Sequence, residues 1–144
     1  MTRKHTLATD ASTPINVVLV TLDNHVNGAI KRAEKSLSRD LPGINFKSFA
    51  ATEWESDPSA LQSCKDAIAS GDIIIITMLF MEAHIKAISD SLAARRDECD
   101  AIVCCMSAPE IMQFTRMGRF TMNGEASGPV ALLKRLRGAP KDGK

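Results

Sequence analysis

No tyrosine occurs in these 144 residues, tryptophan occurs once, and aromatic side chains make up only 4% of the chain. Stacking nucleic-acid bases takes several exposed rings, so the composition speaks against that role. Charge of one sign is also lacking. The formal net charge is +1, which supplies no global pull toward nucleic acid or an anionic membrane. No apolar run approaches the ~20 residues of a membrane-spanning helix, and Met1 to His5 lead into no secretory segment. Cysteine occurs four times but never as Cys-x-x-Cys. Cys104 and Cys105 are adjacent; in a strand they point to opposite faces and share no local metal site. Reduced, buried thiols in a cytoplasmic protein are expected. The chain has no phosphate-binding glycine loop, no nucleophile elbow, and no recognisable Ser/His/Asp or Cys/His set. A phospho-receiver would need an Asp where Thr77 and Met78 stand.

What is present reads as one soluble domain. The 44% hydrophobic and 24% charged residues are ordinary for a globular protein, and the length suits a single core. The most informative stretch is Ile73 to Ile76, four consecutive isoleucines with no polar alternation. Such a run reads as a strand buried on both faces, the habit of parallel sheets covered by helices. Residues 1–13 are polar and expected to be a disordered tail. Strands are expected over 15–21, 44–49, 73–77 and 101–106, the second at an edge. Val26, Ile30, Ala33 and Leu37 fall at helical spacing, predicting a helix from about Asn27 to Arg39. Asp57-Pro58 predicts a capped helix start, Leu61, Cys64, Ala67 and Ile68 its buried stripe, and Gly71 its end. Met81, Ile85, Ile88 and Leu92 mark a third helix. Ser107 with Glu110 reads as a capping box opening a helix that would end at Gly118. Val130, Leu133 and Leu136 suggest a last short helix. The domain would span 14–137, with a flexible basic tail over 138–144. Five basic residues from Ala131 to Lys144 stand against only Asp142, whereas between Asp72 and Glu110 seven acids stand against Lys86, Arg95 and Arg96; this reads as a solvated basic tail beside an acidic domain.

Alternation of strand and helix predicts an α/β fold, a flavodoxin-like or Rossmann-like three-layer sandwich. Its parallel sheet would have about four strands in the order 2-1-3-4, completed by a fifth strand from elsewhere. The switch point then lies between the first and third strands, where the loops Thr21–His25 and Thr77–His84 would meet. Asp23, His25, Glu82, His84, Ser107 and Glu110 are the candidates for this rim. Asp23, His25, Glu82 and His84 are acceptable metal ligands, but the histidines sit on different loops at no recognised spacing, so no metal site is assigned. Capping roles are the alternative: Asp23 or Asn24 at the first helix, Glu82 at the third. Asp23-x-His25-x-x-Gly28 also resembles the lower-ligand loop of flavodoxin-like cobalamin-binding domains, in which the Asp orients the His. The glycine pair of those domains is missing here.

In combination, several segments resemble the extreme N-terminal region of the large H subunit of magnesium chelatase, related to the cobaltochelatase large subunit. They are Val18 to His25 with Gly28, Gly71 to Glu82 with His84 and Ile85, Ala94 to Asp97, Cys99-Asp100, Cys105 to Ala108 with Glu110, and Thr115 to Phe120. The resemblance covers about residues 17–120. Ala83 stands where the family carries Asp, and Pro109 where bacterial members carry Gly. The resemblance implies part of the porphyrin-binding subunit of an ATP-driven enzyme that inserts Mg²⁺ into protoporphyrin IX for (bacterio)chlorophyll synthesis. Its implied partners are the remainder of the H subunit, the ATPase motor subunits and porphyrin. No cofactor is assigned to this domain itself, and alone it should not chelate. No catalytic residue follows. Arg116 and Arg119 are candidates for porphyrin propionates, since Arg binds carboxylate bidentately; the alternative is a basic helix end.

Overall fold

The computed structural model describes residues 10–122. The expected helix around Val130, Leu133 and Leu136 and the basic tail lie outside the described residues. Residues 10–13 form a turn, and the Gly43 N–H donates to the Ala11 carbonyl at 3.0 Å.

The elements follow the expected alternation: β1 (Ile15–Thr21), α1 (Asn27–Asp40), β2 (Ile44–Ala50), a 3-10 turn (Ala51–Glu53), α2 (Pro58–Ser70), β3 (Ile73–Thr77), α3 (Glu82–Arg95) and β4 (Ala101–Cys105). Then come α4 (Pro109–Met112), β5 (Arg116–Met117) and β6 (Phe120–Thr121). The sheet order is β2-β1-β3-β4-β5-β6. The first four strands are parallel, and β5 and β6 pair antiparallel. The flavodoxin-like 2-1-3-4 order therefore holds. The β1–α1–β2 and β2–α2–β3 crossovers run in opposite directions across the sheet. Right-handedness thus sets α1 on one face of the sheet, with α2 and α3 on the other.

The fifth position of the sheet is filled from within this chain, by the β5–β6 hairpin, and not by a strand from elsewhere. The same residues correct the helix expected over 107–118, which stops after one turn at Met112. Two features override the capping-box pattern. The Ser107 hydroxyl caps nothing: it accepts from Leu79 N–H (3.2 Å) and donates to the Cys105 carbonyl (3.0 Å). Thr115 Oγ1 then accepts from Cys104 N–H (3.1 Å) and donates to the Cys104 carbonyl (3.3 Å), drawing the chain back along β4. Gly118, at φ 58°, closes the hairpin in a conformation that favours glycine.

The core lies between the sheet and α2/α3. Val18, Val20, Ile74, Ile76 and Ile102 meet Cys64, Ile68, Ile88 and Leu92 there, all buried. The isoleucine strand is fully buried on this face only. Ile74 and Ile76 are 0% exposed, whereas Ile73 and Ile75 are half-buried on the other face. The expectation of burial on both faces thus holds for one, because α1 is the sole described helix on the second. Gly71 does end α2, but at φ −69° it is no left-handed cap. An added Cβ would meet Ile74 Cγ1 at 3.0 Å and Val18 Cγ2 at 3.2 Å, so tight helix–strand packing is what glycine permits here.

Asp57 caps α2 as expected, accepting from the Ser59 N–H at 2.9 Å. The Ser59 hydroxyl and N–H together hold its carboxyl below the ordinary carboxylate range. Asp57→Ala should therefore lower the melting temperature by a few degrees at neutral pH. The sign with pH follows: a depressed native value means the cap stabilises above the ordinary pKa of about 3.9 and fades as pH falls through the native value. Melting curves at pH 7 and pH 2.5 check this, because the two proteins should converge at the lower pH.

Candidate functional site

At the carboxyl ends of the strands the predicted rim divides into two halves. After β1, Leu22 O accepts from Thr52 N–H (3.0 Å), and the Asn24 side chain donates to Glu53 (2.8 Å). That loop is tied to the exit of β2. After β3, Met78 N–H donates to the Met106 carbonyl (2.9 Å), and Ala108 N–H donates to the Leu79 carbonyl (2.8 Å). With the Ser107–Leu79 bond, this loop is tied to the exit of β4. No described hydrogen bond joins the two halves.

The β1 half holds Asp23 and His25. Asp23 accepts from the His25 backbone N–H (3.0 Å) and lies 2.7 Å from its Nδ1. The backbone bond foremost, and then the imidazole, lower the Asp23 pKa. The Asp23 carboxylate sits against the imidazole, and the His25 side chain is 88% exposed. Neither expected cap is realised at α1. Its N-cap is Val26 without a side-chain bond, because Asp23 is spent on His25. A Cβ at Gly28 would meet only Arg32 Nη1, at 3.6 Å, so nothing local demands glycine there.

The β3/β4 half carries features that no sequence pattern announced. Met78 (φ 62°) and Met106 (φ 47°) are both left-handed, and each directly follows a strand whose last residues, Thr77 and Cys105, are register partners. A non-glycine residue in that region costs about 1–3 kcal/mol and persists only where its surroundings enforce it. Here the enforcement is the ladder of bonds between the loops, anchored by fully buried Leu79. The result presents Phe80 (60% exposed), Met81 (50%) and Met106 (71%) on one rim. Large exposed apolar groups in contiguous patches mark interaction sites, and Met adapts to varied partners. Their paired positions after β3 and β4 were visible in the sequence, but a left-handed methionine has no sequence signature.

The remaining candidates scatter. Glu82, exposed, opens α3 and pairs with Lys86 one turn on. His84 is not on the rim at all: it is buried, its ring edge-on to Trp54 at 5.7 Å and 82°. It belongs to the inward stripe of α3 with Ile88 and Leu92, which Ile85 flanks as expected, whereas Met81, expected in that stripe, is half exposed. Ser107 is buried and structural. Glu110 is exposed in the single turn of α4. Arg116 is buried at 3% and donates from Nε to the Arg96 carbonyl (2.7 Å) and from Nη2 to the Cys99 carbonyl. That removes it as a propionate ligand, while Arg119, at the hairpin turn, is exposed. Among the described residues no three His, Cys, Asp or Glu side chains gather to hold a metal. Cys64 and Cys104 are buried, and burial pushes their thiols up to about 12 and about 11. No helix among the described residues is long and apolar enough to cross a membrane.

These features define a flavodoxin-like α/β domain with an apolar, hydrogen-bond-locked rim at the carboxyl ends of its strands. The family described as "Domain of unknown function (DUF3479)" matches residues 16–144, and the chain belongs to it. The magnesium-chelatase H subunit of Cereibacter sphaeroides is 43% identical over 133 residues, 92% of this chain and 11% of that protein. The magnesium-chelatase H subunit of Rhodobacter capsulatus is 41% identical over 128 residues, 89% of this chain and 11% of that protein. The chloroplastic magnesium-chelatase subunit ChlH of Oryza sativa is 25% identical over 129 residues, 85% and 9% of the two chains. The resemblance to magnesium-chelatase H subunits thus holds over nearly the whole domain, and the cobalamin-module alternative is not favoured. The chain spans about a tenth of the length of the curated relatives it matches.

Proposed function

We propose that this chain serves as the N-terminal domain of a porphyrin-handling subunit of magnesium chelatase. In that setting the assembly would use ATP to insert Mg²⁺ into protoporphyrin IX for (bacterio)chlorophyll synthesis in the cytoplasm. The remainder of the H subunit, the ATPase motor subunits and porphyrin would be its partners. The carrying observation is 43% identity to a magnesium-chelatase H subunit across 92% of the chain. The geometry supports a role in holding or docking over one in chemistry. Its polar candidates are dispersed, exposed or spent on structure, whereas the Phe80–Met81–Met106 rim is apolar and rigidly presented. Arg119 supports a contact with a propionate, which Arg116 cannot make.

The test uses a full-length H subunit carrying this sequence as its N-terminal domain, reconstituted with the motor subunits. Phe80→Asp combined with Met106→Asp should reduce chelation about tenfold or more while leaving thermal unfolding of the domain in place. Ten-fold corresponds to about 1.4 kcal/mol, a modest demand on a patch of three large side chains. Full chelation by the double variant, or by a subunit lacking residues 1–120, would refute the proposed role.

A further inference from the structure

Arg96, the residue that closes α3, carries an unmet guanidinium. Its Nε and Nη2 are buried, and among the described residues no acceptor, the adjacent Asp97 included, bonds either of them. The other arginines nearby are spent. Arg95 donates from Nε to the Gly71 carbonyl at 3.0 Å and lies 3.7 Å from Glu98, and Arg116 is held by two carbonyls. A charged donor shut off from water without an acceptor is costly, so a native structure that keeps one calls for an explanation. Arg96 also lines a cleft. Between the end of α3 and the segment after α4, Ala93, Arg96, Asp97, Gln113 and Phe114 border an open space of about 260 Å³. Because α3 begins directly after Met81, this cleft lies near the far end of a ~20 Å helix from Phe80 and Met81. It is therefore separate from the apolar rim.

We propose that this cleft binds a carboxylate, with Arg96 pairing one carboxylate group of an organic acid. A planar guanidinium fork matches a carboxylate bidentately. Much of the hydration of this one is already lost, so pairing costs it little more. Arg96 as a whole is only half-buried, so rotation about its outer bonds can turn the sheltered nitrogens to a ligand in the cleft. The surroundings select the charge. Asp97 borders the same space, and the carbonyl end of α3 adds partial negative charge. Both oppose a doubly charged phosphate, whereas a single carboxylate is matched by the one guanidinium. The Gln113 amide nitrogen is taken by the Glu110 carbonyl (3.0 Å). Phe114, packed against the core, and Ala93 leave an apolar wall for the body of the acid. A small free acid and a porphyrin propionate present the same group. The site stands independently of the chelatase reading, and only its assignment to a propionate rests on that reading.

Benzoate and protoporphyrin IX are the probes, added at pH 7 to the full 144-residue chain. Benzoate should bind saturably, with a Kd of about 1 mM, and should move the Arg96 Nε–H resonance in an NMR titration. Arg96→Gln should weaken that binding about tenfold without lowering the melting temperature, because Nε and Nη2 have no bond to lose among the described residues. The absence of saturable binding by both probes overturns the proposal. So does binding whose affinity is unchanged in Arg96→Gln, and so does binding that leaves the Arg96 resonance in place. Should the variant unfold, the resonance in the parent chain decides alone. Protoporphyrin IX separates the two sources. Binding at least tenfold tighter than that of benzoate, lost in the dimethyl ester and in Arg96→Gln, supports a propionate in the cleft. Benzoate binding that needs Arg96, without that porphyrin preference, supports a site for a small free acid and detaches it from the chelatase reading.

Discussion

Arg116→Met should destabilise the domain by about 3 kcal/mol. The guanidinium is buried and donates to two main-chain carbonyls, Arg96 O and Cys99 O, in the loop that leads from α3 into β4. Hydrogen bonds to a charged group contribute roughly 1.5–3 kcal/mol each, and stranding the acceptors adds their desolvation. The two bonds share one side chain and are not additive, which keeps the expected loss near 3. Met retains most of the packing volume, so the measured difference reports the lost bonds more than a cavity. Lys should rescue little, because a point ammonium cannot reproduce a planar fork that spans two carbonyls. Urea titration checks this: the midpoint should fall with the slope unchanged. A loss under about 1 kcal/mol would mean that water replaces the guanidinium without penalty. The same carbonyls explain why an arginine next to a family-like Gly-Arg-Phe segment is no porphyrin ligand.

The parts of this fold written in short-range pattern were legible. Apolar runs separated by helix-length intervals gave four parallel strands and their order, and Asp57-Pro58 gave the start of α2. Side chains bound for tertiary partners were not. Ser107 and Glu110 carry the spacing of a capping box, but the Ser107 hydroxyl is taken by Leu79 N–H in a neighbouring loop. Thr115 has no distinctive sequence context, yet its two bonds to Cys104 turn a helix into a hairpin. Arg116 reads from the sequence as a propionate candidate or a basic helix end, since composition cannot show a carbonyl pair waiting in the interior. His84 was the nearest to readable. Position 84 shares an inward stripe with 88 and 92, at intervals of four, and that stripe should have outweighed its closeness to a strand exit. For the rim, sequence located the strand exits that matter, but not that apolar side chains would dominate one of them. The dihedral angles of Met78 and Met106 follow from bonds between loops 28 residues apart in sequence.

His84→Phe should stabilise the domain by about 1 kcal/mol, against the usual sign of a core substitution. His84 is 3% exposed, and among the described residues neither ring nitrogen has a hydrogen-bond partner; Trp54 Nε1, in the ring it meets edge-on, has none among them either. A buried polar group left unpaired costs about 1–3 kcal/mol, and replacing it with an apolar group of similar shape removes that cost. Phe keeps the edge-to-face contact with Trp54, and its slightly larger ring returns part of the gain as overpacking. His84→Ala should go the other way, losing about 3 kcal/mol with the ring contact and the cavity it leaves. Calorimetry separates the two, since a gain of about 1 kcal/mol in a domain of this size raises the melting temperature by roughly 4 °C. Opposite shifts for Phe and Ala would show that the ring stabilises this core while its nitrogens burden it. A burden of that kind is either tolerated as neutral or kept for a role other than folding. His84→Phe placed in a full-length H subunit therefore asks the functional question directly. A more stable subunit with reduced chelation would make the imidazole part of the working machinery beneath the rim, and unchanged chelation would leave it a tolerated defect of packing.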